Sequence, residues 1–300
     1  MDAKRFNQIL NSNKDNLAFV VGNGINRYGY DISKDIGWET LLLNIWNELS
    51  GRTRSEIPVD GISFTEFYDL LSLVERNEID DIRDRVIRFF KKFTPTPYHL
   101  ELQNVFQKWD VPVLTTNFDE SLSASLTKNW INGKLMSSQY PWNAYWSHKK
   151  LSSPLDGFAV WHINGMVSYK NSITLGLTEY INQSSYTRNY LHSLPDKDNF
   201  ELKNINHWKG EGTWLHIIFN RSLCIFGLGL DVNETFLRWL LIERKKYFNM
   251  FRDRVKKGWY VCKKGSISDG NKFFLDTLGI EIIELDSYDD VYRTMLGLSK

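Results

Sequence analysis

Short apolar runs that end in glycine, amide or hydroxyl residues are the feature that most restricts the fold of this chain. Four are present: LAFVV runs into GNGIN, VPVL into TTNFD, FAVWHI into NG, and SLCIF into GLGLD. A continuous apolar run of this length is typical of a strand buried on both faces. We therefore expect an α/β fold in which a Rossmann-like, mostly parallel sheet has helices on both faces.

Helical patterns separate these runs along the chain. Apolar residues recur at helical spacing from Trp38 to Leu49, directly after the first glycine turn. Alternation of strands with helices predicts a parallel sheet. We expect one domain over residues 1–300, with a helical segment at 64–110 and a smaller irregular insertion at about 128–153. Other predicted elements are strands Ile173–Leu177, Trp259–Cys262 and Ile280–Leu285, and helices Tyr98–Trp109, Thr235–Phe248 and Asn271–Leu278.

Composition excludes several classes of protein. The formal net charge is +1, which gives no bulk attraction to nucleic acid. No run of eighteen apolar residues is present and the N-terminal residues do not resemble a signal peptide, so we expect a cytoplasmic protein without a membrane span. The two cysteines, Cys224 and Cys262, lie in apolar runs and are expected to be buried free thiols. They cannot form a four-cysteine zinc site, and we expect no metal.

The polar clusters after the strands are expected to meet in one place. In an open parallel sheet, ligands bind at the carboxyl ends of the strands. Gly22 and Gly24 would let the backbone approach a pyrophosphate, although an ordinary strand–helix turn explains them equally well. The candidate nucleotide-binding residues are Gly22, Asn23, Gly24, Asn26, Thr115, Thr116, Asp119, Asn164, Gly227, Gly229 and Asp231.

Each cluster also has a purely structural interpretation. Asn117 or Asp119 could cap a helix, and Gly227 and Gly229 could ease the packing of a strand against a helix. His162 is two residues from Asn164 on a strand, so both side chains point to one face. A single histidine on a strand is more often a hydrogen-bonded core residue than a functional one.

Taken in order, the clusters resemble the sirtuin superfamily, and more closely its bacterial SIR2-like branch in anti-phage defence proteins. The shared order is G-x-G-x-N after the first strand, T-x-N-x-D after the second, and a histidine near a glycine after the third. The resemblance is scattered over residues 17–242. Further matches are Tyr98-His99-Leu100, the SITLG segment followed by Tyr180, and GLGLD followed by Arg238-Trp239-Leu240-Leu241.

The resemblance implies a site for NAD in which Asn117 contacts the nicotinamide ribose. The family's catalytic base is a histidine directly before a glycine, but here Asn164 precedes Gly165. We expect His162 to be the base and Asn164 to contact the substrate. The alternative is that an H-x-H-G arrangement has lost its second histidine.

The expected function is that of an NAD glycohydrolase, which releases nicotinamide and ADP-ribose. Sirtuin deacylases usually carry a four-cysteine zinc module, which this chain cannot make, so hydrolysis is preferred over deacylation. The resemblance implies a role in depleting NAD during infection. Control by homo-oligomerisation or by a partner protein, such as an ATPase, is expected because an unregulated enzyme would poison its host. Two alternatives stay open: a catalytically inactive module that binds NAD or ADP-ribose as a sensor or scaffold, and an NAD-dependent deacylase or ADP-ribosyltransferase.

Overall fold

A computed structural model describes residues 3–29, 37–51, 53–58, 60–74, 79–192, 200 and 208–297. The expected α/β architecture is confirmed, because an eight-stranded, mostly parallel sheet forms the centre of the described part. The strands are β1 Leu17–Val21, β2 Val113–Thr115, β3 Thr127–Trp130, β4 Ala144–Ser147, β5 Val160–His162, β6 Ser222–Phe226, β7 Gly258–Lys263 and β8 Glu281–Leu285.

The order of the strands is β3-β4-β5-β2-β1-β6-β7-β8. From β5 to β8 all neighbouring strands pair in parallel, whereas β4 pairs antiparallel with both β3 and β5. The chain winds from β1 outward to β5 and then returns to β6 on the other side of β1. The six parallel strands thus follow the 3-2-1-4-5-6 order of dinucleotide-binding Rossmann folds, which bind ligands where the order reverses.

Helices cover both faces of the sheet because side chains alternate along each strand. In β1, Phe19 and Val21 enter one core, whereas Ala18 and Val20 enter the other. The helices are α1 Ala3–Asn13, α2 Gly24–Gly29, α3 Trp38–Ser50, α4 Phe64–Val74, α5 Ile79–Phe90, α6 Pro97–Trp109, α7 Leu177–His192, α8 Trp214–Asn220, α9 Thr235–Met250, α10 Asp269–Leu278 and α11 Tyr288–Met295. None of the helices described here is long and apolar enough to cross a membrane.

A third apolar core connects helices α3, α4 and α5 to the carboxyl end of the sheet. Its members from outside those helices include Phe118, Ile173 and Leu175. The ring of Phe118 lies 5.5 Å from that of Phe90 and 6.3 Å from that of Trp38. The segment after β2 therefore packs against α3, α4 and α5. These three helices cover the carboxyl ends of the strands, and we call them the helical roof.

Two sequence predictions are wrong. The 128–153 segment is not irregular throughout, since β3 and β4 form an antiparallel pair there. Alternation is weak in β3, whose residues are all at least partly exposed, so its sequence resembles a loop. The connection is held by Asn143, whose amide donates to the carbonyls of Ile131 and Lys134 at 3.0 and 2.8 Å.

The predicted strand Ile173–Leu177 does not form. Its apolar residues are buried in the third core, but the backbone is not part of a ladder. The Thr174 amide donates to the carbonyl of Asn164 at 3.0 Å. The Gly176 amide donates to the Glu179 carboxylate at 2.6 Å, and α7 then begins at Leu177. The apolar character of this segment thus reflects burial of a connection beside the strand ends.

Candidate functional site

A cavity of about 790 Å³ lies at the carboxyl ends of the central strands, below the helical roof. The polar clusters after β1, β2, β5 and β6 all reach it, so the expectation that they meet in one place is confirmed. The predicted residues that line it are Asn23, Gly24, Thr116, Asn117, Asp119, Asn164, Gly227, Gly229 and Asp231. We call the lining residues the cavity wall. The other four predicted residues do not line the cavity and lie behind its wall: Gly22, Asn26, Thr115 and His162.

Gly22 and Gly24 are required for backbone packing. The Gly24 amide donates to the Gly227 carbonyl at 2.7 Å, and the Gly22 amide donates to the Phe226 carbonyl at 3.2 Å. A Cβ atom on Gly24 would lie 2.7 Å from the Gly227 Cα. Both amides thus donate within the protein, and the close packing explains the two glycines as an ordinary strand–helix turn would. Gly227 itself has a φ of +64°, which favours glycine.

Replacement of Gly24 by Ala is expected to destabilise the protein by about 1–3 kcal/mol, because the backbones of the two glycine clusters would have to separate. Gly229→Ala is the matched control. A Cβ there would meet only the Asp231 carboxylate, at 3.9 Å, so we expect a change within about 0.5 kcal/mol. Urea unfolding of both variants measures the difference. Equal losses would show that the close approach at Gly24 is not a constraint.

Asn117 lies at the bend after β2, and its backbone is fixed from two sides. Its amide donates to the Thr115 hydroxyl at 3.1 Å, and its carbonyl accepts from His162 Nδ1 at 2.9 Å. The side-chain amide makes one long contact, 3.4 Å, with the Gly22 carbonyl. The backbone of Asn117 is thus held rigidly at the cavity wall.

The structure does not support the prediction that His162 is the catalytic base. Its side chain is fully buried and does not line the cavity. With Nδ1 donating to Asn117, Nε2 lies 3.1 Å from the Ser123 hydroxyl and accepts from it. Burial lowers the pKa of His162, so the ring stays neutral. Because both nitrogens have protein partners, His162 positions Asn117 and is not placed to act on a substrate as the base.

A second buried histidine, His99, is hydrogen-bonded to the polar cluster that follows β1. The Thr96 amide donates to His99 Nδ1 at 3.2 Å, so Nε2 carries the proton and donates to Asn26 Oδ1 at 2.7 Å. The Asn26 amide in turn donates to Asp119 and Asn23, each at 2.8 Å. Burial lowers the pKa of His99, so the ring stays neutral. Asn26 therefore acts behind the wall, where it joins the clusters after β1 and β2.

The turn after β5 brings Asn164 to the cavity. Its side-chain oxygen is buried and has no hydrogen-bond partner among the described residues. Buried amide oxygens usually have a partner, so this acceptor is a polar feature that the folded chain leaves unsatisfied. The following Gly165 has a φ of +100° and lies against Ser172, so no larger residue fits there.

Hydrogen bonds hold the segment after β6 in an uncommon backbone conformation. Leu230 has a φ of +47°, which is rare for a residue with a branched side chain. The Tyr260 hydroxyl donates to the Leu228 carbonyl at 2.7 Å, and Arg238 donates to the Leu230 carbonyl at 2.5 Å. Asp231 accepts from the Asn233 amide at 2.7 Å. The segment is therefore a fixed part of the wall and leads directly to Glu234 at the start of α9.

Several residues of the wall were missed by sequence reasoning. Glu234 is the most informative, because burial raises the pKa of its carboxyl to about 7 and the charge of Asp231 adds to the effect. Its position three residues after GLGLD was the available signal. The C-terminal α11 was not expected to contribute, but its tyrosines reach the cavity. The missed residues include Arg27, Tyr28, Trp38, Glu39, Glu234, Tyr260, Tyr288 and Tyr292.

The ionised Glu234 carboxylate is expected to destabilise the fold at neutral pH and above. Its pKa rises from 4.5 to about 7 on folding, so the folded state prefers the protonated form. The destabilisation develops as pH rises through this window and is complete above it. Glu234→Gln should therefore raise the free energy of unfolding by about 1–3 kcal/mol at about pH 8 and change it little at about pH 4. Urea unfolding at both pH values measures this, and equal effects at both would contradict it.

Sequence comparisons add no family assignment. Neither a scan against models of protein families nor a search of curated proteins finds a significant match to this chain. What the cavity does must therefore be inferred from its geometry, together with the resemblance of its motifs to the sirtuin superfamily.

Proposed function

We propose that the chain is an NAD glycohydrolase that cleaves the nicotinamide–ribose bond in the cavity at the strand ends. The observation that carries this proposal is the convergence of four strand-end clusters, Asn117 among them, on one cavity of about 790 Å³. Its position at the reversal of strand order is where Rossmann-type folds bind dinucleotides. The volume lies within the range usual for cofactor sites.

To cleave the nicotinamide–ribose bond, the protein mainly has to place the ribose and a water molecule correctly. Nicotinamide is already cationic in NAD and leaves without an acid, while the ribose develops oxocarbenium character as in other glycosyl transfers. The protein must hold the ribose in a reactive shape and place a water beside it. His162 and Thr115 fix the backbone of Asn117, which places its side-chain amide at the wall, where it is suited to orient a ribose hydroxyl or that water. Asn164 lines the same wall.

The rest of the wall offers groups for the remainder of a dinucleotide. Arg27 is exposed and is the cationic side chain among the described residues of the lining. A guanidinium suits the pyrophosphate by charge and by geometry. Aromatic side chains from Tyr28, Trp38 and Tyr260 offer flat surfaces for rings of the ligand.

The resemblance to SIR2-like proteins supports the same bond being cut. With only two cysteines, both buried and free, the chain lacks the donors for the four-cysteine zinc module of sirtuin deacylases. Hydrolysis is therefore the preferred outcome over transfer of ADP-ribose or of an acyl group. The resemblance extends the proposal to NAD depletion in anti-phage defence, controlled by homo-oligomerisation or by a partner protein such as an ATPase.

The direct test is incubation of the purified protein with NAD, followed by chromatography of the products. We expect nicotinamide and ADP-ribose to appear in equal amounts, with no label transferred from NAD to protein or nucleic acid. Transfer of the label would favour an ADP-ribosyltransferase. Absence of any NAD consumption by the purified protein, from micromolar concentrations up to those at which it self-associates, would reject the proposed reaction.

A non-catalytic module that binds NAD or ADP-ribose is the second candidate. Asn164 stands where the resemblance calls for a histidine, and His162 is buried behind the wall. Calorimetry with ADP-ribose distinguishes the two candidates when combined with the product assay. Tight binding without turnover would favour the module.

A further inference from the structure

Glu234 stands out among the ionisable side chains of the cavity. It lies at the start of α9, shortly after residues 227–231, which follow β6, and it lines the cavity. Its carboxyl makes no hydrogen bond to the described residues and does not cap α9. Since Glu234 is only half-buried, its carboxyl can meet a ligand or a water in the cavity.

The other acidic groups of the described lining are less suited to accept a proton. The two oxygens of Asp119 accept from Asn26 and from the Ser121 amide, at 2.8 and 3.1 Å. Asp231 is exposed and already accepts from the Asn233 amide. Glu39 is exposed on α3.

We propose that Glu234 is the general base of this cavity and accepts the proton of the water that attacks the ribose. This inference rests on the proposed NAD hydrolysis. The water oxygen forms a bond to the anomeric carbon, and the bond from that carbon to nicotinamide breaks with its electron pair going to the ring. The water's proton passes to Glu234, which later releases it to solvent. The products are ADP-ribose, neutral nicotinamide and one proton.

The surroundings of Glu234 suit this role. Burial and the neighbouring Asp231 raise the pKa of its carboxyl to about 7, close to the pH at which a base is most effective. From α7, Tyr180 presents a buried hydroxyl without a partner among the described residues, and burial raises the pKa of that phenol well above its usual value. Arg27 is the basic group of the described lining, and burial raises the pKa of Cys262 to about 11. Among the groups of the described lining whose pKa is shifted, Glu234 is the one brought close to neutral pH.

Kinetics of Glu234→Gln test the inference. The wild-type rate should fall below about pH 7 as the carboxyl becomes protonated. The variant should lose about 10²-fold or more in kcat and lose this dependence on pH. Glu281→Gln, the same change on an exposed side chain at the opposite end of the sheet, is the control and should keep the wild-type profile.

A second measurement does not depend on turnover. In a carbon-13 NMR titration of the glutamate carboxyls, one resonance should titrate near pH 7 in the wild type and be absent from Glu234→Gln. Titration of that carboxyl near its ordinary pKa of 4.5 would overturn the inference. So would NAD cleavage at the wild-type rate by Glu234→Gln, and in that case the proposed hydrolysis itself would stand. If no NAD is cleaved by the wild type, the hydrolysis and the inference that rests on it both fail.

Discussion

Asn117→Ala is expected to lower kcat for NAD cleavage by about 10²-fold or more, which is the usual cost of removing one well-placed hydrogen-bonding group from an active site. The loss should be in kcat more than in KM, since the role proposed for this amide is to orient the reacting ribose and water and not to hold the rest of NAD. Stability should change by less than about 1 kcal/mol, because the single hydrogen bond of the Asn117 side chain to the described residues is the 3.4 Å contact with the Gly22 carbonyl. Steady-state rates and thermal unfolding measure the two effects separately.

Asn129→Ala is the matched control for this variant. Asn129 lies on β3, and its exposed amide donates only to the Thr127 carbonyl nearby. It should retain the wild-type rate. Should Asn117→Ala also retain that rate, the reacting bond would lie elsewhere in the cavity and the role carried over from the resemblance would be lost.

Gly165→Ala is expected to destabilise the protein by about 3 kcal/mol or more, which is at the severe end for a single substitution. Two costs combine at this position. The φ of +100° is a conformation that residues with a Cβ rarely adopt, and the added Cβ would lie 2.0 Å from the Ser172 carbonyl oxygen. Ser172 cannot withdraw easily, because its hydroxyl accepts from the Met166 amide at 3.0 Å and holds the turn closed.

Gly133→Ala separates the two costs. Gly133 also has a positive φ, +71°, but its added Cβ would meet none of the described residues within 4 Å. We expect a loss of about 1 kcal/mol there, from backbone strain alone. Denaturant unfolding compares the variants, and similar losses for both would mean that the contact with Ser172 does not constrain the turn that carries Asn164.

The strands that matter for the site could be predicted from sequence because they are buried on both faces. The run Leu17–Val21 and the run Ser222–Phe226 are continuous and apolar, and both form strands with those bounds. Their polar ends could be placed together because parallel strands share one carboxyl edge. Edge strands such as β3 are partly exposed and carry no comparable pattern.

The roles of individual polar residues could not be predicted in the same way. His162 and Asn26 were expected at the ligand, yet both lie behind the wall and position residues that line it. Sequence spacing gives the face of a strand but not the depth of a side chain beneath a roof of helices. Glu234 was missed because its importance depends on burial beside Asp231, which only the folded chain creates.

A crystal structure of the protein with ADP-ribose tests the central claim most directly. We expect the terminal ribose at the carboxyl end of β2, with its hydroxyls in hydrogen-bonding distance of the Asn117 side chain and its anomeric carbon facing Glu234. The pyrophosphate should lie on the side of Arg27. ADP-ribose bound outside this cavity, or no binding at millimolar ligand, would contradict the assignment of the strand-end cavity as the site of NAD cleavage.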